Sequence, residues 1–76
     1  MTLDKHKLDG IDQITAKTLP TKDFEALLLG AGYQRAGSAP AKGNRVKVWW
    51  NHPTHRRIEA IYSPDETIAI TAYHVD

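Results

Sequence analysis

The sequence predicts an α+β domain, with one or two N-terminal helices packed on a three- to four-stranded antiparallel sheet. Three observations carry this expectation. Apolar residues in the first half recur at helical spacing and meet a glycine stop. The second half holds three runs of alternating polar and apolar residues, separated by turn formers. The length of 76 residues, with 41% hydrophobic and 25% charged, suits one small folded domain over residues 1–76 rather than a disordered tail.

Residues 1–20 read as an N-terminal segment. Leu8, Ile11 and Ile14 recur at helix-like spacing, with Gly10 interrupting, and predict a short helix near residues 11–17. The second helix has firmer signals. Thr21 is placed to cap it, and Asp23 and Glu25 fall in its first turn, where the helix dipole favours acids. Phe24, Leu27 and Leu28 form its apolar stripe. Gly30 and Gly32 stop it, because glycine accepts the left-handed conformation of a helix end. The helix is expected from Lys22 to about Ala31, and Tyr33 can begin a strand. Gly37, Ser38, Pro40 and Gly43 make residues 34–44 read as a mobile loop.

A meander follows, with strands over residues 45–51, 56–62 and 67–75. His52-Pro53-Thr54-His55 and Ser63-Pro64-Asp65-Glu66 are the turns between them. Period-two alternation gives each strand two faces. Val46, Val48, Trp50, Ile58, Ala60, Tyr62, Ile68, Ile70 and Ala72 are expected on the face that the helix covers. Arg45, Lys47, Trp49, Arg57, Glu59, Ile61, Thr67, Ala69, Thr71 and Tyr73 are expected on the other.

The net charge of +1 hides a segregation. Arg35, Lys42, Arg45, Lys47, Arg56 and Arg57 lie in a stretch with no Asp or Glu, together with Trp49, Trp50, His52 and His55. All nine acids lie outside it. Cations interleaved with aromatic rings suit a polyanion, RNA or DNA before membrane. On the open sheet face, Lys and Arg can meet phosphates while Trp49 and Tyr73 stack on unpaired bases. A plain solvent face, or a protein interface, would use the same residue types.

Several chemistries are excluded. The absence of Cys removes disulfides, thiolate zinc sites and a cysteine nucleophile. There is no Gly-rich phosphate loop, no Gly-x-Ser-x-Gly elbow and no paired carboxylates for glycoside chemistry. No apolar run is long enough to span a membrane, and no apolar signal region opens the chain. His52-x-x-His55 with His74 could in principle bind zinc, but the pair flanks a proline turn. Cleavage of RNA without a cofactor needs a base for the 2′-hydroxyl, cations for the phosphorane and an acid for the leaving oxygen. His55, Lys47, Arg57, Thr71 and Tyr73 supply types for these roles, with Lys42, Arg45, Trp49 and Arg56 as RNA-binding residues. Glu59, the one carboxylate within the predicted strand core, also fits acid–base work or a salt bridge.

A helix, a basic loop and a meander ending Ile68-Ala69-Ile70-Thr71-Ala72-Tyr73-His74-Val75 resemble the small bacterial ribonuclease toxins of the barnase/EndoU/colicin/RelE-like superfamily. That group includes toxin domains of contact-dependent inhibition proteins. The likeness lies in element order and the Thr71-Ala72-Tyr73 segment, over about the last two-thirds of the chain. It implies an endoribonuclease acting on tRNA or another structured RNA, with a cognate immunity or antitoxin protein and, in some cases, a host protein cofactor. It implies action in the cytoplasm of a target or host bacterium, with delivery as part of a larger secreted toxin as one route. A second resemblance ranks below it. Asp23-Phe24-Glu25-Ala26-Leu27-Leu28-Leu29-Gly30-Ala31-Gly32-Tyr33 is similar to the first helix of HicA-type messenger-RNA interferases. Those carry Gly-Ser-His on the first strand, where this chain has Gly43-Asn44-Arg45. The non-enzymatic alternatives are an immunity or antitoxin protein and a nucleic-acid-binding module.

Overall fold

The computed structural model describes residues 2–75 and is α+β, with one helix on a five-stranded antiparallel sheet. In chain order these are β1 (Leu19–Pro20), α1 (Thr21–Gly30), β2 (Gln34–Pro40), β3 (Val46–Asn51), β4 (Arg57–Tyr62) and β5 (Ile68–Val75). The strand order is β1-β5-β4-β3-β2, so α1 carries the chain from one sheet edge to the other. Short 3-10 turns sit at Leu3–Lys5 and Lys42–Asn44.

The core lies between α1, the N-terminal segment and one sheet face. Phe24 and Leu28 from α1 meet Val48, Trp50, Ile58, Ala60, Tyr62, Ala69 and Ala72 from the sheet. Leu27 departs from the expected stripe: it is 43% exposed. Thr21 is not the cap but the first helical residue, following Pro20. Its N–H donates to the Thr67 carbonyl at 2.8 Å, while its buried hydroxyl has no partner. The helix ends as expected. Gly32 is left-handed at φ 95°, and the Tyr33 N–H returns to the Leu28 carbonyl at 3.0 Å.

No helix forms over residues 11–17. Leu8, Ile11 and Ile14 are buried nonetheless, as separate anchors of an irregular segment. Leu3 is buried with them, and its N–H donates to the Lys17 carbonyl at 2.8 Å. Residues 34–40 are strand, not loop. As β2 they pair with β3 at the sheet edge, with a bulge between Arg35 and Gly37. An edge strand leaves one side of its backbone unpaired, so Pro and Gly are tolerated there.

The β3–β4 register runs as the alternation predicts, with Trp49 opposite Glu59 and Lys47 opposite Ile61. On β5 the alternation breaks. Ile61 faces Thr71 but Tyr62 faces Ala69, which leaves Ile70 as the extra residue of a bulge. The bulge inverts the faces before it. Ala69, not Ile68 or Ile70, enters the core, and Ile68 is 37% exposed.

Candidate functional site

The uncovered face of β3, β4 and β5 gathers its side chains in cross-strand rows. Trp49, Glu59 and Tyr73 stand opposite one another, and Lys47, Ile61 and Thr71 form the next row. Residues directly opposite on one face are close enough to interact. The Trp49 indole N–H donates to Glu59 Oε1 at 2.9 Å. The Tyr73 hydroxyl donates to Glu59 Oε2. Lys47 Nζ lies 4.0 Å from the same oxygen, and the Arg57 guanidinium sits 5.3 Å from the centre of a Trp49 ring. The Glu59 side chain is only 14% exposed. Its hydrogen bond raises the Tyr73 hydroxyl to a pKa of about 12, helped by burial and by the Glu59 charge. The phenol therefore stays protonated at neutral pH.

Beside this row lies a depression of about 350 Å³. Lys42, Arg45 and Lys47 supply its cations; Ala41, Ile61 and Ile70 supply apolar surface; Thr71 and Tyr73 complete it. The β5 bulge puts Ile70 there. The tight connection between β2 and β3 presents Lys42 and Arg45. Gly43 and Asn44 both adopt left-handed φ, at 72° and 63°, and the Ala41 N–H donates to the Arg45 carbonyl at 2.9 Å. Across Tyr73 lies a wider, shallower depression of about 640 Å³, lined by Lys5, His6, Lys7, Arg56, Tyr73 and His74.

The structure thus brings Lys42, Arg45, Lys47, Thr71 and Tyr73 to one depression, with Trp49 and Arg57 adjoining on the same face. Arg56 lines the second depression and lies 3.8 Å from Asp9. Thr71 is buried, and its hydroxyl donates to the Thr2 carbonyl at 3.3 Å, so it anchors the N-terminal segment. His55 does not join the Glu59 row. It stacks on His52 at 4.3 Å between ring centres and lies near Tyr33 at 6.1 Å. A Cβ on Gly10 would approach its Nε2 to 2.9 Å, so His55 packs tightly against the N-terminal segment.

His52 and His74 are also committed to the fold. His52 Nδ1 accepts the N–H groups of Thr54 at 3.0 Å and His55 at 3.3 Å, and its Nε2 donates to the Ala31 carbonyl at 2.9 Å. His74 Nε2 accepts the Asp9 N–H at 2.9 Å, and its Nδ1 donates to the Arg56 carbonyl at 3.1 Å. Among the described residues no three His, Asp or Glu side chains converge to hold a metal ion.

Sequence reasoning missed Lys5 and His6 as lining of the depression beside Tyr73. They arrive through the fold-back of the N-terminal segment on β5, and only their basic character signalled it. No family model, no curated protein and no solved structure matches the chain, so the site is read from its own residues.

Proposed function

We propose that the open face of β3, β4 and β5 binds RNA. The observation that supports this best is the meeting of Lys42, Arg45 and Lys47 around an apolar depression bordered by Tyr73. Cations in that position match phosphates, and the apolar floor with the tyrosine ring matches the faces of unpaired bases. Arg57 stacked on Trp49 extends the same combination along the face. Fluorescence anisotropy with a labelled RNA tests the reading. Binding should weaken as salt rises, and Arg45→Glu with Lys47→Glu should abolish it while the fold persists. Undiminished binding by that variant would remove the face from consideration.

Cleavage is a second reading, favoured by the Glu59 carboxylate beside the Lys47 ammonium and the Tyr73 hydroxyl. Glu59 would take the proton of a ribose 2′-hydroxyl as that oxygen bonds to phosphorus. Lys47 would offset the phosphorane charge, and Tyr73 would protonate the departing 5′-oxygen. The products would be a 2′,3′-cyclic phosphate and a 5′-hydroxyl. This chemistry needs no metal and is that of a ribonuclease toxin, whose natural partner would be an acidic immunity protein covering Lys42, Arg45, Lys47 and Arg57. Cleavage in excess chelator, lost in Glu59→Gln and Lys47→Ala, supports it. RNA bound but left intact makes the domain a binding module.

A further inference from the structure

We infer that the Tyr73 ring divides one continuous track into two phosphate subsites, so that the ligand is a single RNA strand crossing the sheet over Tyr73. This rests on the RNA-binding reading and names the form of RNA.

Tyr73 lines both depressions, so the two hollows meet at its side chain. The ring is held from two sides. Its hydroxyl is bound to Glu59, and the His6 ring meets it edge-on with centres 5.8 Å apart. A fixed aromatic ridge between two basic hollows is a stacking platform with a phosphate contact on either side. The first hollow has about 350 Å³, near the lower end of the ~300–1,000 Å³ usual for small-ligand sites. That accommodates one splayed nucleotide. Ile61 and Ile70 can receive its base, and Lys42, Arg45 or Lys47 its phosphate. A duplex keeps its bases paired and stacked inside, so it could neither fill this hollow nor stack on Tyr73.

The second hollow takes its cations from Lys5 and from Arg56, whose Nε also lies 3.8 Å from Asp9 Oδ2, with His6 beside them. Lys7 also lines it, but its ammonium already donates to the carbonyls of Leu8 and Ile11. Lys5 and His6 are carried by a segment fastened to β5 through Thr2 with Thr71 and Asp9 with His74. The N-terminal segment is thereby a wall of the binding track as well as of the core.

The test measures anisotropy of a fluorescein-labelled ten-nucleotide uridine-rich RNA, alone and annealed to its complement, against the full chain at several salt concentrations. Two variants are compared, Lys5→Gln with Arg56→Gln and Lys42→Gln with Arg45→Gln, each checked for folding by circular dichroism. Each should weaken single-strand binding severalfold. Each should also reduce the slope of log affinity against log salt by about 1.4, the value for two lost single-strand contacts. The duplex should bind more weakly than the single strand. Loss of affinity only in the Lys42/Arg45 variant would overturn the two-subsite track and leave RNA binding intact. Duplex binding as tight as single-strand binding would do the same. If neither RNA binds the unaltered chain, the RNA reading itself fails, and the track with it.

Discussion

Glu59 is the residue on which the open face turns. It stands in the middle strand, and each carboxylate oxygen accepts one hydrogen bond, from Trp49 and from Tyr73. A carboxylate has further lone pairs, so it can still accept a hydroxyl from a ligand. The link to Tyr73 has a direct spectroscopic consequence. Removing the charge in Glu59→Gln removes two causes of the raised Tyr73 pKa, the hydrogen bond to a carboxylate and its Coulomb repulsion of the phenolate. The phenolate absorbance of that variant should include a group titrating nearer the ordinary value of 10.0 than the native value of about 12. An unchanged titration would mean that Glu59 and Tyr73 do not interact in solution.

The β5 bulge sets which side chains reach the site. With Ala69 fully buried and Ile70 in the depression, Ala69→Leu should overpack the core and destabilise by about 1–3 kcal/mol. Ile70→Ala should cost about 1 kcal/mol or less, well below the ~2–5 kcal/mol of a core isoleucine. Denaturant titration distinguishes the two, and the reverse order would restore a strand with no bulge. The bulge explains one limit of the sequence. Two isoleucines around an alanine read as Ile inside, and nothing local marks the inserted residue. The remaining register on β3 and β4 was legible, because Lys47, Trp49, Arg57 and Glu59 alternate with apolar neighbours through a proline turn. β2 was not legible, since Gly37, Ser38 and Pro40 suit a loop until β3 is seen beside them. Lys42, Arg45 and Lys47 could be grouped from the acid-free stretch. His55 could not be placed, because a turn histidine has no face until the Gly10 segment packs on it.

At the scale of the whole molecule, stability should fall at both ends of the pH range. Tyr33, Tyr62 and Tyr73 all hold their protons more tightly when folded. For Tyr33 and Tyr62 the main cause is burial, and for Tyr73 it is the Glu59 hydrogen bond. The folded state therefore binds more protons than the unfolded one above pH 10, so stability is complete below that pH and declines as pH rises through the folded values. Asp65 behaves in the opposite sense. Hydrogen bonds from Ser63 and Thr67 lower its pKa from 3.8, so its contribution is present above that value and is lost as pH falls through the folded one. Thermal melts from pH 3 to 11.5 should show a plateau between about 4 and 10; a melting temperature still rising at pH 11 would contradict the tyrosine assignments. The strand order carries a consequence for synthesis. β5 emerges from a ribosome after every other element described, yet β1 pairs with it and the Leu3–Lys5 turn rests on it. The hairpins of β2, β3 and β4 can assemble while the chain grows, but Leu3, Leu8, Ile11 and Ile14 have no completed wall to close against until β5 is out. Both basic hollows take Tyr73 from β5, so neither exists until β5 is in place, and a nascent chain has no complete track.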